Sequence, residues 1–201
     1  MTNKTATAVI ASIVLLLTGA LTMAFTPADA AKGIQQTKQE HTPGLDVGKL
    51  RDIYFAGGCF WGVEEYFSRI PGVYDVTSGY ANGMTEKPSY QQVCSGATGH
   101  AEAVHIRYDP GVVSLKTLAE QFFKIIDPLS LNRQGNDMGT QYRTGIYFAR
   151  EEDEAVIRSV MDEVQKQYAA PLVVELQPLA NYYPAEDYHQ DYLKKNPGGY
   201  C

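Results

Sequence analysis

The sequence predicts an α+β fold, a single domain in which helices pack on a central mixed β-sheet. Three observations carry that expectation. Strand and helix patterns alternate loosely along the chain, hairpin-like and crossover connections are mixed, and 201 residues at 44% hydrophobic and 20% charged suffice for one core.

The first segment stands outside that domain. Lys4 gives a positive n-region, Ala6 to Phe25 is an uncharged, largely apolar run, and Ala28-Asp29-Ala30 supplies the small residues of a cleavage site. Residues 1–30 therefore read as a signal peptide, cut after Ala30. A retained membrane-anchored N-terminus is the alternative, because the run approaches the roughly 20 residues that span a bilayer. Either way the protein is expected outside the cytoplasm, periplasmic or secreted. Residues 31–48, polar and without periodicity, read as a flexible linker to a domain over 49–201.

Within the domain, Ile53 to Ala56 reads as a strand and Val63 to Phe67 as a helix, joined through Gly57-Gly58-Cys59-Phe60-Trp61-Gly62. Ile70-Pro71-Gly72 stops the helix, and Val73 to Tyr80 is a second strand. Ala81 to Gly99, rich in Gly, Ser, Pro and Thr, is a long loop of the kind that compact domains keep for function. Ala101 to Tyr108 alternates as a strand, with Glu102, Val104, Ile106 and Tyr108 on one face and Ala103, His105 and Arg107 on the other. Ser114 caps a helix from Leu115 to Ile126, closed by Asp127-Pro128, whose Leu118, Phe122 and Ile125 make an apolar stripe. Leu129 to Arg143 is another polar loop, Thr144 to Phe148 a strand, and Glu151 to Tyr168, acidic in its first turn, a helix. Val173 to Leu176 is a further strand. Pro184 opens a short helix through Lys195, and residues 196–201 form a mobile tail ending in the thiol of Cys201.

The chemistry centres on Cys59. A strand feeding a helix through two glycines puts it near a helix N-terminus, where unpaired N–H groups and the helix dipole favour a thiolate. The bland alternative, a small buried hydrophobe, is weakened by the glycines, which permit close backbone approach, and by the rings of Phe60 and Trp61 beside the sulfur. Glu102 shares a strand face with apolar residues, a setting that raises a carboxyl pKa; pattern alone slightly favours a strand-end glutamate that reaches solvent. Three cysteines, Cys59, Cys94 and Cys201, leave one over and make no disulfide framework, so redox chemistry is the natural reading. Formal net charge is −6 with no long cluster of Lys and Arg, which argues against a nucleic-acid partner. His100 and His105 would point to opposite faces of an extended chain, a poor geometry for one metal, and neither metal nor organic cofactor is expected.

The block Gly58-Cys59-Phe60-Trp61-Gly62-Val63-Glu64-Glu65 resembles the active-site signature of the peptide-methionine (S)-S-oxide reductases, which return methionine sulfoxide to methionine. Ser89 to Gly96, Thr98 to Glu102, Asp137 to Arg143 and Tyr183 to Gln190 match further blocks in the family's order, covering nearly all of the chain from Asp52 onward. The resemblance implies a two-layer, ferredoxin-like α+β domain with extensive coil at the C-terminal end. It makes Cys59 the nucleophile that attacks sulfur, Glu102 the proton donor, and Tyr90 and Tyr142 the hydrogen-bonding partners of the sulfoxide oxygen. Phe60 and Trp61 become the aromatic wall that receives the methyl group, and Asp137 a helper in substrate binding. Cys201 becomes the thiol that resolves a Cys59 sulfenic acid, with recycling by thioredoxin or a thioredoxin-like reductant. Oxidised proteins and peptides are the implied substrates of an enzyme working as a monomer. Cys94 is given mainly a packing role, with alternative resolution of the sulfenic acid left open, and His189 is read as bracing the site. Two rivals remain at this point: a cysteine hydrolase pairing Cys59 with a histidine base, and a binding module with an aromatic patch.

Overall fold

The computed structural model describes residues 47–199; the expected signal peptide over 1–30, most of the expected linker over 31–48, and Cys201 lie outside the described residues. After a 3-10 turn at Val47–Lys49, the strands are β1 (Arg51–Gly57), β2 (Val73–Ala81), β3 (Ala101–Tyr108), β4 (Arg133–Gln134), β5 (Asp137–Met138), β6 (Thr144–Phe148), β7 (Glu175–Pro178) and β8 (Tyr182–Pro184). The helices are α1 (Phe60–Phe67), α2 (Tyr90–Cys94), α3 (Leu115–Phe122), α4 (Glu151–Gln165) and α5 (Tyr192–Lys195). Six strands form one sheet in the order β7-β6-β1-β3-β2-β8, and β4 pairs with β5 separately. Only β6 and β7 run parallel, so the sheet is mixed, as expected.

The alternation predicted for β3 holds. Val104, Ile106 and Tyr108 are buried on the face that meets α1, α3 and α4, together with Ile53, Phe55, Ile146 and Phe148 from β1 and β6. Phe122 of α3 lies at the centre of this layer, its ring 4.8 Å from that of Phe55. The other face carries a smaller cluster of Ala56, Ala81, Ala101, Ala103 and Tyr147, over which Tyr54 and Tyr182 pack. His105 belongs to that face, stacked on Tyr54 and 2.7 Å from Asp52.

Several expected boundaries move. The loop over 81–99 contains α2, started by a capping box in which the Ser89 side chain accepts from the Gln92 N–H and the Gln92 side chain accepts from the Ser89 N–H. The polar loop over 129–143 contains the β4–β5 hairpin and a 3-10 turn at Thr140–Tyr142. Helix α3 stops at Phe122 instead of Ile126, because the chain tightens into i→i−3 bonds from Lys124 to Gln121 and Ile125 to Phe122 ahead of Pro128. Likewise α4 ends at Gln165 and not Tyr168, where Gln167 bonds back to Val164. The strand expected at 173–176 begins at Glu175, since the Val173 N–H is taken by the Pro128 carbonyl. No helix opens at Pro184. That proline ends β8 at the sheet edge, where a missing N–H costs no ladder bond, and only Tyr192–Lys195 is helical.

Truncating Phe122 to Ala leaves a cavity under β1 and should cost about 3–5 kcal/mol. Urea unfolding of the variant measures the loss, and a loss well under 1 kcal/mol would contradict this account of the core.

Candidate active site

Cys59 is the N-cap of α1, reached from β1 through Gly57 and Gly58. Gly58 is the critical glycine. Its φ is +84°, and a Cβ there would stand 2.6 Å from the Cβ of Gln134. The β4–β5 hairpin can therefore come against the cysteine turn only because position 58 lacks a side chain. Gln134 is itself fixed to the end of the α3 segment, its amide accepting from the Asp127 N–H at 2.8 Å and donating to the Asp127 carbonyl at 2.9 Å. Asp137 pairs with Gln134 across the hairpin. The hairpin thus delivers Asp137 to the mouth of the site.

Glu102 enters from β3. It is 1% exposed, and its Oε2 accepts the N–H of Phe60, the first residue of α1, at 3.1 Å. This bond ties the carboxyl to the residue after the cysteine. Tyr90 comes from α2, whose own N–H donates to Glu186 Oε1 at 2.9 Å, and Tyr142 from the 3-10 turn next to the hairpin. Seven side chains, those of Cys59, Phe60, Trp61, Tyr90, Glu102, Asp137 and Tyr142, line one cavity of about 130 Å³. They are the seven assigned to one site from the sequence within the described residues. A larger groove of about 380 Å³ between α3 and α4, walled by Phe123, Val160 and Val164, contains no thiol and no histidine.

The electrostatics favour hydrogen-bond donors. Burial first, then a hydrogen bond to Cys94, pushes the Tyr90 phenol well above its usual range. Burial followed by the charge of Glu102 does the same for Tyr142. Both phenols keep their protons at neutral pH and can donate to an oxygen in the cavity. The aromatic wall is braced from behind: Trp61 Nε1 donates to His189 Nδ1 at 3.1 Å, and the Tyr192 ring stacks on Trp61 with centroids 3.7 Å apart. Accepting at Nδ1 leaves the neutral His189 protonated at Nε2, and burial holds its pKa below the ordinary value.

Two readings change. Cys94 is exposed at the end of α2, which contradicts a packing role; its contact is with the Tyr90 hydroxyl, and burial together with nearby Glu102 and Glu186 raises its thiol pKa. The histidines lend a hydrolase no support, since His100 binds the Thr85 carbonyl, His105 binds Asp52 on the far face, and His189 binds Trp61. Sequence reasoning missed Glu186, which accepts from the Tyr80 hydroxyl at 2.7 Å and from the Tyr90 N–H, and it missed Tyr192. Glu186 lies inside a block that matched the family, and that was its only signal. Among the described residues no cluster of His, Cys, Asp or Glu is arranged to hold a metal ion.

Gly58→Ala should cost about 1–2 kcal/mol from left-handed strain alone, with the Gln134 clash added to it. A denaturant midpoint equal to that of the wild type would show that the hairpin does not depend on Gly58.

Comparison with known proteins bears on the same stretch of chain. The family described as "Peptide methionine sulfoxide reductase" matches residues 51–201. The peptide methionine sulfoxide reductase MsrA of Clostridium botulinum (strain Hall) is 58% identical over 152 residues, 76% of this chain and 97% of that protein. Among solved structures, methionine sulfoxide reductase A of Corynebacterium diphtheriae superposes with a TM-score of 0.75 at 37% identity, covering 82% of this chain and 84% of its own. Mxr1 of Saccharomyces cerevisiae, solved in complex with Trx2, gives a TM-score of 0.54 at 26% identity over 76% of this chain and 91% of its own. A match of this extent, on the segment that builds the cavity, means that the chain belongs to the peptide methionine sulfoxide reductase family.

Proposed function

We propose that the chain reduces the S epimer of methionine sulfoxide, in proteins and peptides, to methionine. The observation that carries this reading is the convergence of a cysteine, a buried carboxyl and two protonated phenols on one small cavity with an aromatic wall. Cys59 attacks the sulfoxide sulfur while Tyr90 and Tyr142 donate to its oxygen. Glu102, held through Oε2 by Phe60, delivers the proton from its other oxygen as negative charge develops. The products are methionine and a Cys59 sulfenic acid. Phe60 and Trp61 receive the methyl group by apolar burial and sulfur–aromatic contact, and Asp137 positions the substrate from the hairpin. Cys201 then condenses with the sulfenic acid, forming a disulfide and releasing water. A thioredoxin-like dithiol reduces that disulfide by exchange, a step for which the yeast relative solved with Trx2 offers the parallel.

The finer architecture belongs to the same proposal. The antiparallel order β6-β1-β3-β2, with α1 and α3 as the crossing helices, supports a ferredoxin-like two-layer core. Residues 1–30 act as a signal peptide and 31–48 as a tether, and the domain works as a monomer in the periplasm or outside the cell; the leader composition is the support for this placement. Mass measurement of the exported protein should give a mature chain beginning at Ala31, and retention of residues 1–30 would favour the anchored alternative.

Turnover of separate S and R epimers of a methionine sulfoxide peptide tests the chemistry. With dithiothreitol only the S epimer should react, Cys59→Ser should be inactive, and Cys201→Ser should retain dithiothreitol activity while losing thioredoxin-supported cycling. Glu102→Gln should stay folded and lose about 10²–10⁴-fold in rate, the usual worth of a positioned acid. A wild-type enzyme that reduces neither epimer would end the reductase reading.

A further inference from the structure

Glu64 lies outside the cavity, yet it is among the most buried charged side chains described, 2% exposed. It sits on α1 three residues beyond Trp61, and its Oε2 accepts the N–H of Asp191 at 2.9 Å. Asp191, in the left-handed region at φ 51°, caps α5, and Tyr192 at the start of α5 stacks on Trp61. Trp61 in turn lines the cavity. A continuous set of contacts therefore runs from the Glu64 carboxyl through the Asp191 amide and the Tyr192 ring to the aromatic wall.

We infer that Glu64 is a positioning residue whose protonated carboxyl holds the Asp191–Tyr192 turn against Trp61, so that the substrate wall loosens when the proton leaves. The inference rests on the cavity being the substrate site. The groups that face Glu64 are the Asp191 carboxylate and Lys194 from the C-terminal segment and the Ser78 hydroxyl from β2, with the Glu65–Arg69 pair beside it on α1. Glu64 Oε1 and Ser78 Oγ are both buried without a hydrogen-bond partner in the structure. The Ser78 hydroxyl can donate to Glu64 in either protonation state, but only the neutral acid avoids placing a second buried negative charge near Asp191.

Burial, and after it the Asp191 charge, raises the Glu64 pKa from 4.5 to about 7, against opposing effects of the Asp191 N–H, Lys194 and Ser78. The packed arrangement binds the proton more tightly than an opened one does. Its advantage is thus full at low pH, declines as pH rises from 4.5, and is exhausted above about 7. His189 also touches Trp61 and titrates, but burial lowers its pKa from 6.5, which separates its transition from that of Glu64.

The chain has one tryptophan, so fluorescence reads this contact directly. Wild-type emission should change with a midpoint near 7, and Glu64→Gln, which keeps an acceptor for the Asp191 N–H and cannot ionise, should lack that transition. Tyr192→Leu, with Glu64 intact, should also lack it, which guards against a Gln variant that fails to fold. For the sulfoxide peptide, the ratio of wild-type to Glu64→Gln KM should rise several-fold between about pH 6 and about pH 8, with the kcat ratio flat. Identical fluorescence titrations of wild type and Glu64→Gln, or a KM ratio independent of pH, would overturn the inference. The fluorescence arm needs no turnover: a transition lost in both variants, with no sulfoxide reduced by the wild type, would sink the reductase reading alone.

Discussion

The hydrogen bond from the Phe60 N–H to Glu102 is the contact on which the rest of the site depends. It joins the middle of the sheet to the first turn of α1, and so sets the carboxyl and the cysteine beside one another. Register makes it possible. Phe55 of β1 faces Val104 of β3 in antiparallel pairing, and continuing that register brings Gly57 level with Glu102. A slip of one residue would turn Glu102 to the face occupied by His105 and Arg107. The apolar alternation of Val104, Ile106 and Tyr108 against α1 and α3 forbids that slip, so the hydrophobic core fixes the position of the Glu102 carboxyl at the cavity.

What could be read from the sequence was what periodicity and local chemistry determine. Strand β6 came out residue for residue, and Cys59 was placed at the N-terminus of α1, although that helix begins at Phe60 and not at the expected Val63. The burial of Glu102 was legible only through the family block around it, since pattern alone slightly favoured a glutamate that reaches solvent. The elements that escaped are short and held by distant partners. Helix α2 has five residues and carries a capping box, but its place is set by Glu186, 96 residues away on the Tyr90 N–H. The β4–β5 hairpin has two residues a side and stands because Gln134 is bonded to Asp127 and fits over Gly58. Helix α5 is four residues long, and Tyr192 is kept in place by Trp61. No window of local sequence contains those partners.

Residues 185–191 illustrate why a segment with helical composition stays irregular. Glu186 serves the Tyr80 hydroxyl and the Tyr90 N–H, His189 accepts from Trp61, Gln190 bonds both the N–H and carbonyl of Ser78, and the Asp191 N–H goes to Glu64. These partners lie on α1, α2 and β2, on different sides of the segment. A helix would point side chains 186, 189 and 190 along one face and could not reach them all. Tertiary hydrogen bonds thus replace the helical ladder, and those to Trp61 and to the Tyr90 N–H hold two of the residues that line the cavity.

Two buried carboxyls bracket α1, and their surroundings assign them different tasks. Glu102 meets the helix at its N-terminus, where Phe60 offers an unpaired N–H and the dipole tolerates negative charge. It also lines the cavity, so its carboxyl is open to proton exchange with that space. Glu64 sits in the second turn, beyond the reach of that favourable end, with one oxygen unsatisfied and a neighbouring aspartate. The Asp191 N–H, Lys194 and Ser78 offset only part of the cost of losing its proton there. The helix is therefore met at its N-terminus by one carboxyl, from β3, that opens onto the cavity, and carries in its second turn another for which losing a proton means loosening the wall of that cavity.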